Sequence, residues 1–451
     1  MPALTRRISA IQQGGPRYFQ RGAATLVIVL MLFFVIALVS AYTSRNLIFE
    51  QRTSVNQYRS SMAFETAEAG IEWATAMLNG GRIGGNCTEA AALAGSTSFR
   101  QRYLGIDASS GAITPRKQVT NAAKELKPTC VWDGAAWACT CPDDADPALV
   151  EPLAAGLHPA FRVRFTPSTR EGVIRVQVNG CVRMTEECLD DFSDVPRESE
   201  GRAQHTTLLA LKPGVTTPPA AALTVYGKVE GGPVVARNTD IASGGITVHA
   251  VGIVPGVTPQ GAPGTPPERT VVASDLTLLP SGLSLADLVA VPSNWDRVFG
   301  AVFGLLPGTY REQPAARVLV CPNGGCRAAL SALVAANPHR VIWIPGDLVL
   351  ESAGDVGSLP DPATPAAAGA ATLIVEGRVR FLTPGVNIFG VVYARNGNWE
   401  GSGTITGAAI VEGDLTAAGA PTVLYNQSVI DATRLSSGSF VPMQGDWKDF
   451  R

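Results

Sequence analysis

Catalytic signatures are missing from these 451 residues. No GxSxG, P-loop or HExxH pattern occurs, which removes the familiar sequence routes to serine hydrolysis, nucleotide binding and zinc peptidase chemistry. Histidine is scarce, and the four present, His158, His205, His249 and His339, are scattered. Charged residues make up only 16% of the chain, with a formal net charge of −2. That balance excludes a basic nucleic-acid surface. The first 22 residues contain Arg6, Arg7, Arg17 and Arg21 but no acid, and residues 23–44 carry no charge at all. Without those four arginines the chain has 32 basic and 38 acidic residues, a net charge near −6.

What is present begins with that uncharged run, AATLVIVLMLFFVIALVSAYTS. As a helix it spans about 33 Å, enough to cross a bilayer core of about 30 Å. A secretory signal has a shorter apolar core with a small-residue cleavage site behind it. Here the plausible cleavage site, Gly22 beside Arg21, comes before the run, so processing would leave the run on the protein. The helical pattern continues without proline or glycine to Gly70 and stops at Asn79-Gly80-Gly81. Val55, Tyr58, Met62, Ala69 and Trp73 form one expected apolar stripe, and Arg45, Glu50, Arg52, Arg59, Glu65, Glu68 and Glu72 occupy other faces. A helix over residues 23–78 would be about 84 Å long. Without further likeness it reads as a signal-anchor with a stalk.

Arg21-Gly22-Ala23-Ala24, the apolar run, then Arg45, Glu50, Arg52, Asn56 and the segment from Ala63 to Gly70 (AFETAEAG) together resemble the type IV pilin superfamily, in detail the PilX type of minor pilin. The likeness takes in about the first 60 residues of the mature chain. It implies that a prepilin peptidase cuts after Gly22 and that Ala23 becomes the N-methylated first residue. Major pilins of this kind carry a glutamate at the fifth mature position, here Val27. That acid is assigned to neutralise a neighbour's N-terminal amine in an apolar filament core, where an unpaired charge is costly. A subunit without it is expected to be a poor internal repeat and a better cap or initiator, at low copy near the tip.

All eight cysteines, Cys87, Cys130, Cys139, Cys141, Cys181, Cys188, Cys321 and Cys326, follow the apolar run. An even number beyond an anchor with a basic flank fits an oxidising periplasm and four disulfides. The positive-inside rule puts residues 1–22 in the cytoplasm and the bulk of the chain outside, anchored in the inner membrane. Local spacing favours Cys181 with Cys188, and Cys321 with Cys326 around Pro322-Asn323-Gly324-Gly325. Cys130 to Cys139 reads as a hairpin turning at Asp133-Gly134, which would leave Cys87 for Cys141. Three connectivities are open among those four. Zinc at Cys139-Thr140-Cys141 has poor spacing and no nearby His; no metal or cofactor is expected.

With 47 Gly and 32 Pro the body reads as turn-rich β-structure. The expected fold class is α+β: a long pilin-type helix, transmembrane in its first half, a disulfide-rich antiparallel β head, and a C-terminal β-solenoid-like domain with a helical insertion. The divisions are a leader at 1–22, the helix at 23–80 with its membrane segment at 23–44, the head at 81–212, the solenoid at 213–435 with the insertion at 253–340, and a tail at 436–451. The head carries a helical patch near residues 89–93, then strands at 161–167, 172–182 and 206–212. Residues 212–221 read as a linker. Strands near 342–350, 373–382, 394–403 and 409–419 end in turns, with Gly377, Gly397 and Gly413 at 20- and 16-residue spacing. Val234–Asn238 echoes Val391–Asn396. A β-sandwich is the competing architecture. Residues 253–281, rich in Pro and Gly, read as an exposed loop; helices are expected at 285–304, broken at Pro292, and at 326–338.

The acidic groups Asp143-Asp144-Asp146 and Asp190-Asp191-Asp194 read as solvated loop acids, and neither fits a calcium loop. Asp347, Glu376, Glu400 and Asp414 are placed at coil corners, with no regular partner His or Lys. The chain is therefore expected to be non-enzymatic, a PilX-type minor pilin in type IV pilus assembly. Its implied partners are other minor pilins and the major pilin through the helix, the prepilin peptidase and a PilY-type tip adhesin. A K-type pseudopilin of type II secretion and a membrane-anchored β-helix enzyme acting on polysaccharide are the alternatives.

Overall fold

The computed structural model describes residues 20–443, apart from 91–95, 108–109, 146–151, 153–155, 191, 193–200 and 361–368. Most of the leader, part of the patch near 89–93, Asp146, Asp191, Asp194 and the tail beyond Met443 lie outside the described residues. The chain divides into two compact units, Met1–Ser61 and Met62–Arg451.

Among its described residues the first unit contains helix only. The helix runs Gln20–Leu78, and its residues from Ala24 to Tyr58 are solvent-exposed. Thr43 and Thr53 return their hydroxyls to the carbonyls of Val39 and Phe49, both at 2.9 Å, which satisfies these polar groups inside the helix.

In the second unit, Met62–Leu78 lies across a six-stranded antiparallel sheet ordered Gly438–Pro442, Arg202–Pro213, Val173–Cys181, Ala160–Pro167, Thr129–Trp132 and Trp137–Thr140. The buried helix face is Ala63, Ala67, Gly70, Ala74 and Leu78, not the expected stripe, in which Met62, Ala69 and Trp73 are half-buried and Val55 and Tyr58 exposed. The reason is close approach. A Cβ on Gly180 would come within 2.3 Å of the Ala63 carbonyl oxygen, and one on Gly70 within 2.5 Å of Val178. Only small side chains fit where backbone meets backbone. Strand alternation then places Ile174, Val176 and Val178 in the core.

The rest of the unit is a β-solenoid, and parallel pairing decides it against a sandwich. Each coil uses three faces. On the first, Ile342, Leu373, Val392, Ala409, Leu223 and Val248 stack in register and point inward. On the second, Leu348, Val379, Trp399 and Ala417 do the same; on the third, Val356, Ile388, Ile405, Val423 and Ala236. Corner glycines stack as well: a Cβ on Gly377, Gly397 or Gly227 would strike the neighbouring corner at 2.5 Å or less.

The coils are not stacked in chain order. The strand Leu223–Val225 pairs with Thr404–Val411, so the first coil in sequence sits against the last. The echo between Val234–Asn238 and Val391–Asn396 is not a coil repeat. Val234–Arg237 is a third-face strand pairing Thr422–Tyr425, whereas Val391–Ala394 pairs Thr372–Val375 and Ala408–Val411 on the first face.

Three further expectations change. Residues 253–281 are not simply a loop: Val257–Gln260 adds an outer strand beside Val234–Arg237, and Val271–Val272 pairs Val248 and His249. Pro259 is tolerated there because the strand lies at the sheet edge. Residues 212–221 do not hang free: Thr216 and Thr217 donate backbone N–H to Val302 O at 2.9 Å, and Val215 is buried. The tail's first part returns to the head, where Gly438–Pro442 pairs Leu209–Pro213 and Phe440 is buried.

Helices Leu285–Ala290, Trp295–Phe303 and Pro307–Glu312 cover the first face. Phe299 and Phe303 pack there on Tyr393 with ring centroids 5.3 and 5.0 Å away. Helix Arg327–Ala336 brings Leu330 and Val334 against the inner core. Its first N–H, on Arg327, is taken by Glu351 Oε2 at 3.0 Å, a carboxylate at a helix N-terminus.

Candidate functional site

The surface of residues 24–44 is largely apolar and without charge. Leu26 to Val39 carries an almost unbroken row of exposed Leu, Val, Ile, Met and Phe, including Val27 at 51% exposure. Among the described residues this is the one helix long and apolar enough to cross a membrane. Gly22 and Ala23 fall in the first turns of that helix. Beyond Ser44, Leu47, Ile48, Phe49, Val55 and Tyr58 stay exposed between Arg45, Glu50 and Arg52. Large apolar side chains exposed beside charges suit packing against other amphipathic helices.

The cysteines form four disulfides, Cys87–Cys141, Cys130–Cys139, Cys181–Cys188 and Cys321–Cys326. Three of them staple the head. Cys87–Cys141 ties the residues after the helix to the end of the Thr129–Trp132/Trp137–Thr140 hairpin, where Cys141 N also donates to Gly85 O at 2.7 Å. The sulfurs of Cys139 and Cys141 are thereby committed to separate bonds.

Six of the acids singled out in the sequence are held structurally. Asp144 accepts from Thr120 N at 2.8 Å. Asp190 binds Arg162 at 2.6 Å and Lys127 at 3.1 Å, which hold its carboxyl below the usual range against the effect of burial. Asp347 and Asp414 accept from the backbone of Arg378 and Lys228 in the next coil, at 2.9 and 3.0 Å. Glu376 accepts from the Trp343 indole at 3.1 Å. Glu400 lies within a second-face strand rather than at a corner, and it pairs with Arg380 at 2.7 Å and Arg378 at 3.3 Å. The structure does not bring these four into one cluster around a common centre; each joins neighbouring strands or coils.

Two features escaped sequence reasoning. Glu412 is buried, accepts from the Tyr393 hydroxyl at 2.6 Å and pairs with Arg395 at 3.2 Å. Arg395 reaches on to Asp296 of the covering helix at 2.8 Å. Burial pushes the Glu412 carboxyl up to about 7 against the pull of Arg395, and pushes the nearby Tyr226 hydroxyl up to about 12. Nothing in the local sequence VEGD marks such a site, because its partners come from three separate segments. The second feature is Arg100, which donates to Leu78 O at 3.1 Å and Gly438 O at 2.8 Å and lies over the Phe440 ring. Burial lowers it to about 9. It supplies the positive charge at a helix C-terminus whose own last turn has none.

Comparison with known proteins bears on the helix. Residues 21–72 match the family described as PilX N-terminal. No curated protein matches the chain. Among solved structures, the competence-associated pilin ComZ from Thermus thermophilus is similar at 11% identity, over 85% of this chain and 96% of that one, with a TM-score of 0.21. That structural likeness is too slight to bear on the fold. The family match coincides with the exposed apolar helix and its basic entry, so residues 21–72 are similar to the N-terminal domain of PilX-type minor pilins.

Proposed function

We propose that this chain is a minor pilin, a low-copy, non-enzymatic subunit that sits at or near the tip of a type IV pilus. The observation that carries the reading is Val27, an exposed aliphatic side chain at the fifth residue after Gly22, in a helix whose first acid is Glu50. A neighbour's N-terminal amine buried beside it would find no counter-charge. The cost is smallest where a neighbour is missing, at a filament end. The arginine-rich leader stays in the cytoplasm, the apolar run spans the inner membrane, and the disulfide-stapled remainder folds in the periplasm. Prepilin peptidase cuts after Gly22 and leaves N-methylated Ala23. Once assembled, the solenoid offers its surface to other minor pilins, a PilY-type adhesin or an external target.

The test is the N-terminal residue and mass of the mature protein from cells with and without prepilin peptidase, followed by immunogold labelling of sheared filaments. A peptidase-dependent start at Ala23 with gold at the ends supports the reading. An uncleaved chain in both strains removes the pilus assignment, and gold spread along the shafts removes the tip.

A further inference from the structure

Four Asn-Gly pairs occur in the sequence, at Asn79-Gly80, Asn179-Gly180, Asn323-Gly324 and Asn396-Gly397. The structure treats them very differently. Asn79 is buried, its amide bonded to Thr75 O and both ways to the Phe440 backbone, and Gly80 N donates to Met77 O at 2.9 Å. Asn179 and Gly180 lie inside a central head strand in register with Gln204 and Ala203, and Asn179 donates to Leu189 O at 3.1 Å. Asn396 Oδ1 accepts from both nitrogens of Asn398, and Gly397 is buried against the next coil. Asn323 and Gly324 are both exposed, in the tight turn closed by Gly325 N donating to Pro322 O at 3.0 Å. A Cβ built on Gly324 would meet nothing within 4 Å beyond its chain neighbours.

We propose that Asn323 is a spontaneous modification site of this protein, deamidating through a succinimide while the other three Asn-Gly pairs are protected by the fold. The reaction needs the Gly324 backbone nitrogen, deprotonated, to reach the Asn323 side-chain carbon. A new N–C bond forms, the amide C–N bond breaks and ammonia leaves. Water then opens the five-membered imide at either carbonyl, giving aspartate or isoaspartate. No oxidant or further reactant is required. Glycine after the asparagine removes the Cβ that would block approach, and the exposed position of Asn323 leaves its side chain room to rotate. At the other three sites the glycine nitrogen or its surroundings are held by helix, strand or coil packing, so the same geometry demands local unfolding.

The consequence is a new negative charge, or a backbone one methylene longer, at the end of the solenoid that helix Arg327–Ala336 closes. The Cys321–Cys326 bond encloses the site, so the altered turn stays covalently closed. An acid generated there would act through charge rather than through loss of the end cap.

The test uses the whole mature protein, held at pH 8.5 and 37 °C in water enriched in the heavy oxygen isotope. Trypsin isolates the site in a single peptide, residues 318–327, between Arg317 and Arg327. The expected result is isotope-labelled aspartate and isoaspartate in that peptide while the other three Asn-Gly peptides stay unchanged, with a rate that rises with pH. In a denatured sample all four should convert, and Asn323→Gln should abolish the signal in 318–327. Faster conversion at any other pair in the folded protein overturns the proposal. So does an unchanged 318–327 peptide over the time in which the denatured control is fully converted.

Discussion

The head and the solenoid build cores of similar residues by opposite means. In the head, one helix face lies across an antiparallel sheet, and contacts close over long sequence distances: Asn79 holds Phe440, and Arg100 holds Gly438. Three disulfides join segments packed in the head. In the solenoid, identical inward positions repeat coil upon coil, and each strand depends chiefly on the one above and the one below. A structure of the first kind should fail as a whole. One of the second kind should fail in patches, since stability there is close to a sum of nearest-neighbour terms.

The sharpest break of that comparison is a matched pair of core truncations. Phe161→Ala in the head and Trp399→Ala in the solenoid each remove a fully buried aromatic and should each cost about 4 kcal/mol. Hydrogen exchange should separate them. Phe161→Ala raises exchange through every head strand, whereas Trp399→Ala raises it in Val379–Phe381 and Leu415–Ala418 and leaves distant coils such as Val248–Ala250 protected. Equal spread in both variants would erase the distinction.

Next come the disulfides, which belong mainly to the head side of the contrast. Replacing Cys87 and Cys141 by Ser opens a separation of 54 residues, against 9 for Cys130 and Cys139. Loop entropy makes the first loss about 4 kcal/mol and the second roughly 1.5 kcal/mol smaller. Denaturant melts of the two double variants check the order; a larger loss for the short loop would point to strain or packing rather than chain entropy.

Glu412 tests whether the covering helices belong energetically to the solenoid. Its folded carboxyl lies near 7, above the ordinary value of 4.5, because burial disfavours the charge. The folded state therefore holds the proton more tightly than the unfolded chain. This contribution is complete below about pH 4.5 and is lost as pH rises through 7, on the order of 3 kcal/mol in all. Glu412→Gln should flatten that slope. Melting curves at about pH 5 and about pH 8, with Phe299 packing followed by Trp343 fluorescence, decide it; an unchanged slope means another group titrates.

Much of this contrast can be read in the sequence, and the unreadable part has a physical cause. The helix is legible because 22 uncharged residues and an Asn-Gly-Gly stop are local signals. The coils are legible because corner glycines and short Val/Ile/Leu strands recur at a near-constant period. Their stacking order is not, since Leu223 meets Ala409 through a pairing that no local pattern encodes. The helix stripe misled for a related reason. Periodicity ranks large apolar residues highest, yet the face that meets the sheet is set by how closely Gly180 lets the backbone approach, which favours Ala63 and Ala67. The echo at Val234–Asn238 shares residues with Val391–Asn396 because both are strands ending at a polar turn, not because they share a coil position.

The smallest effect should come from the charges on the second face. Arg380 and Glu400 pair at 2.7 Å across adjacent coils, with about a third of each side chain exposed. Arg378, more exposed still, adds a contact to the same carboxylate at 3.3 Å. In a cycle of Arg380→Met and Glu400→Gln the coupling should be about 0.5 kcal/mol, because water screens the pair and ordering two long side chains offsets much of the attraction. Raising salt to 1 M should shrink it further. The inward neighbours on the same strands, Val379 and Trp399, carry the coil stability, so the ladder's role is to fix register and to keep a parallel face from pairing with another chain. A coupling above 2 kcal/mol would reverse that assignment and make the solenoid surface, like the head interior, a place where single polar contacts hold the fold.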